Sequence, residues 1–405
     1  MGFFKKTIRD IELDGHTVLV RVDYNVPLNG DGTISDDLRI KASLPTLQAL
    51  LDRGCRLVLI SHLGRPEGKE LKYSLEPVAT RLTALLGRDV TFVDDCIGDV
   101  ALQAVHRAPA GSVLLLENLR FYTEEEADDH EFAKKIAAAS QADYFVQDGF
   151  AVVHRAHAST HAITLELPSV AGLLVEREYI TITNAMAEPK RPLVAIMGGA
   201  KVSDKIELIE RFVDISDTIL VGGAMANTIL KYKGMNVGAS KVEENQTETL
   251  DRLYEVARAK AGDNVDNYVI LPSDVAVATE FKDTAARIVR NLDAVQDNEL
   301  ALDIGDKTIE RYCQVIEAAG TVIWNGPVGV SEFKNFSHGS ARLALSLATH
   351  PEIASIIGGG DTADFVLKWD VKKGGSFTHV STGGGAGLEL MAGKKLPGIE
   401  SLLDA

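Results

Sequence analysis

The feature that most constrains the fold is a repeated alternation of short apolar runs with longer stretches of helical period. The runs, rich in Val, Ile and Leu, cover residues 17–25, 56–64, 90–96, 112–121 and 143–150, and then 192–199, 218–223, 268–278, 321–329, 355–361 and 377–385. Continuous apolar runs of this length are typical of strands buried on both faces of a parallel sheet. The sequence therefore predicts an α/β fold with two doubly wound domains, each a parallel sheet flanked by helices.

The boundary between the two domains is expected where the alternation is interrupted. Residues 175–188 have the pattern of a helix, and Pro189 and Pro192 end it before the next apolar run. We predict a first domain at 1–174, an interdomain helix at 175–188, a second domain at 189–390 and a C-terminal tail at 391–405. Two domains joined by a helix would leave a cleft between them.

Charge and composition restrict the partners. The chain has 405 residues, and its 42 Lys and Arg against 58 Asp and Glu give a net charge of −16. Such a chain is repelled by nucleic acid and by anionic membranes unless it has a basic patch. The longest uncharged runs, 318–331 and 374–388, are interrupted by glycines and fall short of the ~18 residues that cross a bilayer. We expect a cytoplasmic protein with neither nucleic acid nor membrane as a partner.

Cationic side chains follow the apolar runs of the first half. In a parallel sheet, ligands bind at the carboxyl ends of the strands. His62, Arg65, Arg120 and Arg155 each follow such a run, and Arg39 lies in the predicted loop after the first strand. We call these five residues the cationic rim. Guanidinium groups suit phosphate and carboxylate oxygens. A single arginine of this kind is better explained as a solvated surface residue, but their shared placement favours an anion site.

Glycines follow the apolar runs of the second half. The glycine-rich turns lie at 198–199, 222–223, 358–360 and 383–385. Turns of this kind bring backbone N–H groups close to a phosphate, although a single one is more often a tight turn without a ligand. Lys201 and Lys205, four residues apart at the predicted start of a helix, would project from one face and favour a bound anion. Asp361 either holds Mg²⁺ beside substrate phosphates or caps the next helix.

Motifs that would indicate other chemistry are missing or incomplete in the sequence. There is no GxxxxGK[ST], no GxGxxG after a strand, no HExxH and no GxSxG. His154, His157 and His161 have the spacing of a helical metal cluster, but no Asp, Glu or Cys lies within four residues to complete it. Cys55, Cys96 and Cys313 are far apart and form no CxxC, which argues against a disulfide framework or a zinc site.

Five motifs in order resemble the phosphoglycerate kinase family. They are Arg21-Val22-Asp23-Tyr24-Asn25-Val26-Pro27, Ser61-His62-Leu63-Gly64-Arg65-Pro66, Gly198-Gly199-Ala200-Lys201-Val202-Ser203-Asp204-Lys205, Trp324-Asn325-Gly326-Pro327 and Gly359-Gly360-Asp361-Thr362. The resemblance runs from Arg21 to Gly398, nearly the whole chain. It implies two Rossmann-like domains joined by a helix, and reversible Mg²⁺-dependent phosphoryl transfer between 1,3-bisphosphoglycerate and ADP, giving 3-phosphoglycerate and ATP.

The resemblance also implies residue roles. The first domain would bind 3-phosphoglycerate or 1,3-bisphosphoglycerate through Asp23, Asn25, Arg39, His62, Arg65, Arg120 and Arg155. The second would bind ADP or ATP through Lys205, Gly222, Gly223, Asn325, Glu332, Gly359, Gly360, Asp361 and Thr362, with Lys201 nearby and Asp361 on Mg²⁺. Arg39, Lys201 and Lys205 would be catalytic, stabilising the transferred group. The domains would close during turnover. The family is mostly monomeric, so we expect a monomer, with a dimer as the alternative.

Some positions depart from the family pattern. Gln147-Asp148-Gly149-Phe150-Ala151 stands where the family commonly has Asn-Asp-Ala-Phe-Gly. Ala224 stands where a third glycine is common, Ser331 where an aromatic is usual, and Gly387 where serine is common. Two alternatives to this family remain open. One is a nicotinamide-dependent dehydrogenase, which the missing GxGxxG disfavours. The other is a non-enzymatic binding protein, which should have lost Arg39, Lys201, Lys205 and Asp361, yet all four are present.

Overall fold

The computed structural model describes residues 2–405, which form two compact units. Unit 1 contains residues 2–180 and 394–405, and unit 2 contains residues 181–393. The chain passes from one unit to the other within helix α5 (Leu173–Ala187), so the helix predicted at 175–188 starts two residues earlier and ends one earlier. In the described part of the chain no helix is long and apolar enough to cross a membrane.

Unit 1 is built on a six-stranded parallel sheet in the order β3-β4-β2-β1-β5-β6. Its strands are β1 (Thr17–Arg21), β2 (Arg56–Ile60), β3 (Val90–Val93), β4 (Val113–Leu116), β5 (Tyr144–Gln147) and β6 (Ser169–Ala171). Its helices are α1 (Leu38–Asp52), α2 (Glu76–Leu86), α3 (Gly98–Arg107), α4 (His130–Ser140) and α14 (Pro397–Glu400). The short β6 had no counterpart among the predicted runs.

The continuous apolar runs are explained by burial on both faces of this sheet. In β1, Val18 and Val20 belong to one hydrophobic cluster, whereas Leu19 belongs to the cluster on the other face. The same division holds in β2, where Leu57 and Val58 enter opposite clusters. Strands buried on both faces need apolar residues at every position, which is the pattern that the sequence shows.

The C-terminal tail packs on unit 1. Gly398 donates its backbone N–H to the carbonyl of Val153 at 2.9 Å. The buried Lys5 ammonium donates to the carbonyls of Glu400 (2.7 Å) and Leu402 (2.9 Å). These bonds tie the two ends of the chain into one unit.

Unit 2 contains a second six-stranded parallel sheet in the order β15-β14-β13-β7-β8-β9. Its strands are β7 (Leu193–Met197), β8 (Thr218–Val221), β9 (Val269–Ile270), β13 (Thr321–Asn325), β14 (Ala354–Gly358) and β15 (His379–Val380). Its helices are α6 (Ile206–Ile215), α7 (Gly223–Tyr232), α8 (Thr247–Ala261), α9 (Val265–Tyr268), α10 (Asp306–Glu317), α11 (His338–Thr349), α12 (Gly360–Trp369) and α13 (Gly385–Met391).

A three-stranded antiparallel sheet in unit 2 corrects the sequence prediction. The run at 268–278, predicted as one strand of a parallel sheet, is divided between β9 and β10 (Asp274–Ala278). Strand β10 pairs antiparallel with β11 (Ile288–Asn291) and β12 (Leu300–Ile304). The run is interrupted by Pro272, which has no N–H to donate to a continuous ladder. Strands β11 and β12 were not predicted, and β11 is largely exposed.

Candidate active site

The cationic rim lies at the carboxyl edge of the unit 1 sheet. His62 and Arg65 follow β2, Arg120 follows β4, and Arg155 follows β5, and these strands lie in one parallel sheet. Arg39 reaches the same edge from α1. It is the second residue of that helix, so placing it in a loop was wrong. The strand order therefore brings the predicted triose residues to one edge, because parallel strands end on the same side of a sheet.

Asp23 and Asn25 order the loop after β1. The Arg39 guanidinium pairs with the Asp23 carboxylate at 2.6 Å (Nη1–Oδ2). The other oxygen of Asp23 accepts the backbone N–H of Asn25 at 3.2 Å, and the Asn25 side-chain oxygen accepts the N–H of Gly64 at 2.8 Å. Asp23 thus holds the guanidinium of Arg39 in place, and Asn25 ties the β1 loop to the β2 loop.

Arg120 is the most constrained arginine of the rim. It donates to the carbonyl of Gly64 at 2.8 Å and pairs with Glu126 at 2.7 Å, while its buried Nε has no hydrogen-bond partner. Burial lowers the pKa of Arg120, and the nearby charges of Arg155 and Arg65 lower it further while Glu126 opposes them. Arg65 and Arg155 are exposed. Their charges act on Arg120, so the rim concentrates positive charge on an acidic protein.

His62 is a buried member of the cationic rim and is neutral near pH 7. Its Nδ1 lies 3.1 Å from Nη2 of Arg21, the last residue of β1. Burial lowers the pKa of His62 well below its usual value, and the charges of Arg21, Arg120 and Arg39 add to that effect. Arg21 is only 1% exposed, and the carboxylate of the buried Glu125 lies 4.0 Å from it. Sequence reasoning did not select Arg21 or Glu125. The signal was there for Arg21, since its guanidinium directly follows three apolar residues, 18–20, in the same strand.

In unit 2 the glycine-rich turns pack against the Asn325-Gly326-Pro327 segment after β13. Gly198 donates its N–H to the carbonyl of Asn325 at 2.9 Å, and Gly199 donates to that of Pro327 at 3.0 Å. Gly326 has φ +95°, and a Cβ there would lie 2.2 Å from the carbonyl oxygen of Gly198 and 2.8 Å from Nζ of Lys205. Only glycine fits this junction without movement of the backbone.

Lys201 and Lys205 do not share a helix face. Lys201 precedes a 3-10 turn (Ser203–Lys205), and α6 begins only at Ile206, so the prediction from their spacing was wrong. Glu243 supplies an anion at this turn, because its carboxylate accepts the N–H groups of Val202 (2.7 Å) and Ser203 (3.1 Å). That carboxylate partly explains why a lysine is tolerated there.

Lys205 is nevertheless directed at the glycine-rich turns. Its ammonium donates to the carbonyl of Gly198 at 3.0 Å. Burial lowers the pKa of Lys205 to about 8, and the charges of Asp361 and Asp204 oppose that shift. Lys201 is exposed. Lys205 is thus a half-buried cation that feels the charge of Asp361. An additional anion nearby would stabilise the charged form of this lysine.

Asn325, Thr362 and Asp361 surround the turn after β14. The Asn325 side chain is 1% exposed, and both its amide atoms are buried without a hydrogen-bond partner. The buried Thr362 hydroxyl accepts the N–H of Gly326 at 2.7 Å, so that side chain braces the loop. Gly359 occupies the N-cap position of α12, and exposed Asp361 is the second residue of the helix. Asp361 is therefore not the N-cap, which removes the alternative role considered for it.

A cavity of about 500 Å³ opens beside these turns within unit 2. Its lining includes Gly199, Gly223, Glu332 and Asp361, and its apolar wall includes Phe281, Val275, Leu300, Leu302 and Val330. The antiparallel sheet supplies part of that wall through β10 and β12. The lining does not include these other residues predicted for the nucleotide side: Lys201, Lys205, Gly222, Asn325, Gly359, Gly360, Thr362 and the 383–385 turn. The apolar wall was missed because the antiparallel sheet was not predicted.

The three histidines at 154, 157 and 161 are not assembled into a metal site. His161 pairs with Asp128 at 2.7 Å, and His157 lies 3.9 Å from Glu125. Within residues 2–405, no group of three or more His, Cys, Asp or Glu side chains is arranged to hold a metal ion.

Comparisons with known proteins agree with this arrangement. The family model described as phosphoglycerate kinase matches residues 8–394. The phosphoglycerate kinase of Moorella thermoacetica is 47% identical over 401 residues, covering 99% of both chains. That of Prosthecochloris aestuarii is 46% identical over 404 residues, covering 99% of this chain and all of the relative.

Solved structures give the same result. The phosphoglycerate kinase of Coxiella burnetii has a TM-score of 0.84 at 37% identity, covering 98% of each chain. That of Pyrococcus horikoshii has a TM-score of 0.83 at 30% identity, covering 99% of this chain and 98% of the other. The chain belongs to the phosphoglycerate kinase family, whose members are enzymes that transfer a phosphoryl group to and from a carboxyl acceptor.

Proposed function

We propose that this enzyme binds its triose at the cationic rim of unit 1 and its nucleotide in the cavity of unit 2. The observation that carries the proposal is the cationic rim itself. An acidic chain gathers four arginines and a buried, neutral histidine at the carboxyl edge of one parallel sheet. The triose substrates carry phosphate and carboxyl groups, which guanidinium groups recognise through paired hydrogen bonds.

On the triose side, we assign separate tasks to the rim residues. Arg65, Arg120 and Arg155 would bind the substrate phosphate, because Arg65 and Arg155 are exposed while Arg120 is held in place by Gly64 and Glu126. Asp23, Asn25 and His62 would orient the hydroxyl and carboxyl groups. Arg39 would extend toward the transferred phosphoryl group while its ion pair with Asp23 sets its direction.

On the nucleotide side, the cavity has the size and composition of a small-ligand site. Its apolar wall would hold the base, and Glu332 would accept hydrogen bonds from the ribose hydroxyls. The phosphates would lie toward the glycine-rich turns, where Gly222 and Gly223 open α7 and Gly359 and Gly360 open α12. Helix N-termini present free N–H groups and a positive dipole end to anions. The unpartnered Asn325 amide would gain a partner there.

The residues present fit a Mg²⁺ ion that is bound jointly with nucleotide phosphates. Mg²⁺ prefers oxygen ligands and keeps several of its waters, so one or two carboxylates suffice when phosphates complete the shell. Asp361 is an exposed carboxylate at the cavity and does not cap its helix. Asp361 would hold the ion, whose contribution when bound is to neutralise phosphate charge.

The transfer itself needs positioning and charge rather than proton chemistry. In the direction of ATP synthesis, an oxygen of the ADP β-phosphate forms a bond to phosphorus while the acyl oxygen–phosphorus bond breaks and the carboxylate leaves with the electron pair. Both oxygens are ionised, so no general base is required. Arg39 and Lys201 would stabilise the equatorial oxygens, and Lys205 would bind the phosphate being transferred.

Direct transfer requires the two bound substrates to meet and water to be excluded, since an acyl phosphate hydrolyses readily. We therefore propose that the units close during turnover. X-ray scattering should show a smaller radius of gyration only when triose and nucleotide are both bound. An equal radius with and without the two ligands would contradict closure.

The division of labour is tested by calorimetry with each ligand alone. Arg120→Met should abolish 3-phosphoglycerate binding and leave Mg-ADP binding unchanged, whereas Leu300→Trp, which fills the cavity, should do the reverse. Arg107→Met, which removes an exposed arginine of α3, is the matched control and should bind both ligands normally. If Arg120→Met lost the nucleotide, or Leu300→Trp lost the triose, the assignment of sites would be wrong.

A further inference from the structure

A charged side chain is buried beneath the cationic rim, and the roles assigned above do not use it. Arg21 ends β1 directly after the apolar residues Val18, Leu19 and Val20, and it is among the largest fully buried side chains of the described chain. Burying a charge is costly unless it is paired and hydrogen-bonded. A leucine would continue the apolar pattern of the strand at no such cost. The arginine therefore needs a reason beyond packing.

The guanidinium of Arg21 is fixed from several sides. Its Nε donates to the hydroxyl of Ser159 at 2.8 Å, and its Nη1 donates to the carbonyl of Val22. Glu125, itself fully buried, accepts the Ser159 hydroxyl at 2.6 Å and the Ser159 N–H at 3.0 Å. Its carboxylate, 4.0 Å from Nη2, balances the charge of Arg21. These contacts leave Nη2 in one orientation, toward His62.

The remaining contact decides where His62 carries its proton. Nη2 of Arg21 lies 3.1 Å from Nδ1 of His62. A guanidinium can only donate, so Nδ1 must accept and the ring proton must be on Nε2. A proton on Nδ1 would place one N–H against another. Within residues 2–405, the contact with Arg21 is the one hydrogen bond of the His62 side chain, so Nε2 is left available as a donor.

We propose that Arg21 is a positioning residue, which holds His62 as the neutral Nε2–H tautomer so that this N–H donates to an oxygen of the triose. Arg21 itself is too deeply buried to touch substrate. The inference rests on the proposed function in one respect, which is that His62 binds the triose. Ser159 and Glu125 support Arg21 as a second layer, in the way that outer partners fix the tautomer of other histidines.

The direct test is the nitrogen spectrum of ligand-free protein labelled with ¹⁵N-histidine, at pH 7, with His62→Asn identifying the His62 signals. We expect a protonated Nε2 and an unprotonated, hydrogen-bonded Nδ1. Arg21→Met should release the His62 ring into a mixture of tautomers. It should also raise the KM for 3-phosphoglycerate about tenfold or more, because that is the affinity lost with one hydrogen bond to a charged group, and it should change kcat less. Arg53→Met is the matched control, since Arg53 bonds the carbonyls of Ile8 and Ile11 and should leave the His62 spectrum unchanged.

Each outcome bears on the proposal. A wild-type His62 protonated on Nδ1, or on both nitrogens, would overturn it, as would an Arg21→Met variant with an unaltered spectrum and KM. Should Arg21→Met not fold, Ser159→Ala loosens the guanidinium and keeps its charge, and unaltered His62 signals in that variant would equally overturn it. Adding 3-phosphoglycerate separates this inference from the proposed function. If the Nε2–H signal is present but does not shift, His62 does not bind the triose even though Arg21 sets its tautomer.

Discussion

Gly326 provides a sharp test of how the nucleotide side is built. A methyl group at this position meets two separate costs. The backbone has φ +95°, which L-residues rarely adopt, and the new Cβ would lie 2.2 Å from the carbonyl oxygen of Gly198. Gly234 is the matched control, because it lies in the same unit with φ +81° and a Cβ added there would have no atom within 4 Å. The difference between the two alanine variants isolates the steric contact from the backbone conformation.

The magnitudes follow from that geometry. Gly234→Ala should cost about 1–2 kcal/mol of unfolding free energy, the penalty of a left-handed alanine. Gly326→Ala should cost that amount plus about 1–3 kcal/mol for overpacking. The following Pro327 restricts the backbone angles of residue 326, which limits how far the backbone can move to remove the clash. The clash must therefore displace Gly198 or Lys205, so Mg-ADP affinity should fall while 3-phosphoglycerate affinity is kept.

Urea unfolding of both variants, with calorimetric titration of each ligand, measures these effects. Equal destabilisation by Gly326→Ala and Gly234→Ala would show that the close contact with Gly198 does not limit this site. Unchanged Mg-ADP affinity in Gly326→Ala would show that the junction does not position the phosphate-binding turns. Either result would refute the reasoning.

Of three further predictions, two concern single residues and the third concerns a coupled pair. Arg39→Ala should lower kcat by at least ~10³-fold with an unchanged circular dichroism spectrum, and near-normal turnover would remove Arg39 from the catalytic role. Burial raises the pKa of Asp148 to about 7 in the folded state, from its ordinary value of 3.8. Between about pH 4 and 7 the folded state therefore holds a proton on Asp148 that the unfolded state has lost. The free energy of unfolding should fall as pH rises through this window, by about 1.4 kcal/mol per pH unit. Urea unfolding at pH 5 and pH 8 should show a flatter pH dependence in Asp148→Asn, and an identical slope would contradict this. A Cβ on Gly149 would lie 3.3 Å from Oε1 of Gln147. Because asparagine is shorter than glutamine, Gly149→Ala should lower the melting temperature less in the Gln147→Asn background than in the wild type. Equal effects in the two backgrounds would contradict this coupling.

The sequence predicted the features that depend on repeated patterns. Apolar runs marked most strands of both parallel sheets because strands such as β1 are buried on both faces. The strand ends then indicated the cationic rim, since the carboxyl edge of a parallel sheet collects whatever follows its strands. The secondary structure predicted for Arg39 and Lys201 was wrong, since Arg39 lies in a helix and Lys201 precedes one. The residue at which a helix starts depends on local contacts, such as those of Glu243 with the N–H groups of Val202 and Ser203.

The remaining features depend on contacts between residues distant in sequence. The antiparallel sheet could not be predicted because the exposed β11 has no apolar run and Pro272 separates β9 from β10 within one run. The Arg21–His62 contact joins positions 41 residues apart, and Ser159 lies 138 residues from Arg21. No spacing rule connects such positions. Two departures from the family pattern are explained by one contact. Gln147 is longer than the asparagine common in the family, and its Oε1 would crowd a Cβ on residue 149, where this chain has glycine instead of alanine.

The central claim is that this chain transfers a phosphoryl group between a triose and a nucleotide bound on its two units. The most direct measurement is a coupled assay with 3-phosphoglycerate and Mg-ATP, in which glyceraldehyde-3-phosphate dehydrogenase reports the product through NADH oxidation. We predict robust turnover that disappears when Mg²⁺ is chelated and returns when it is restored. Folded protein that binds both ligands and shows no turnover, or turnover that is indifferent to Mg²⁺, would contradict the account.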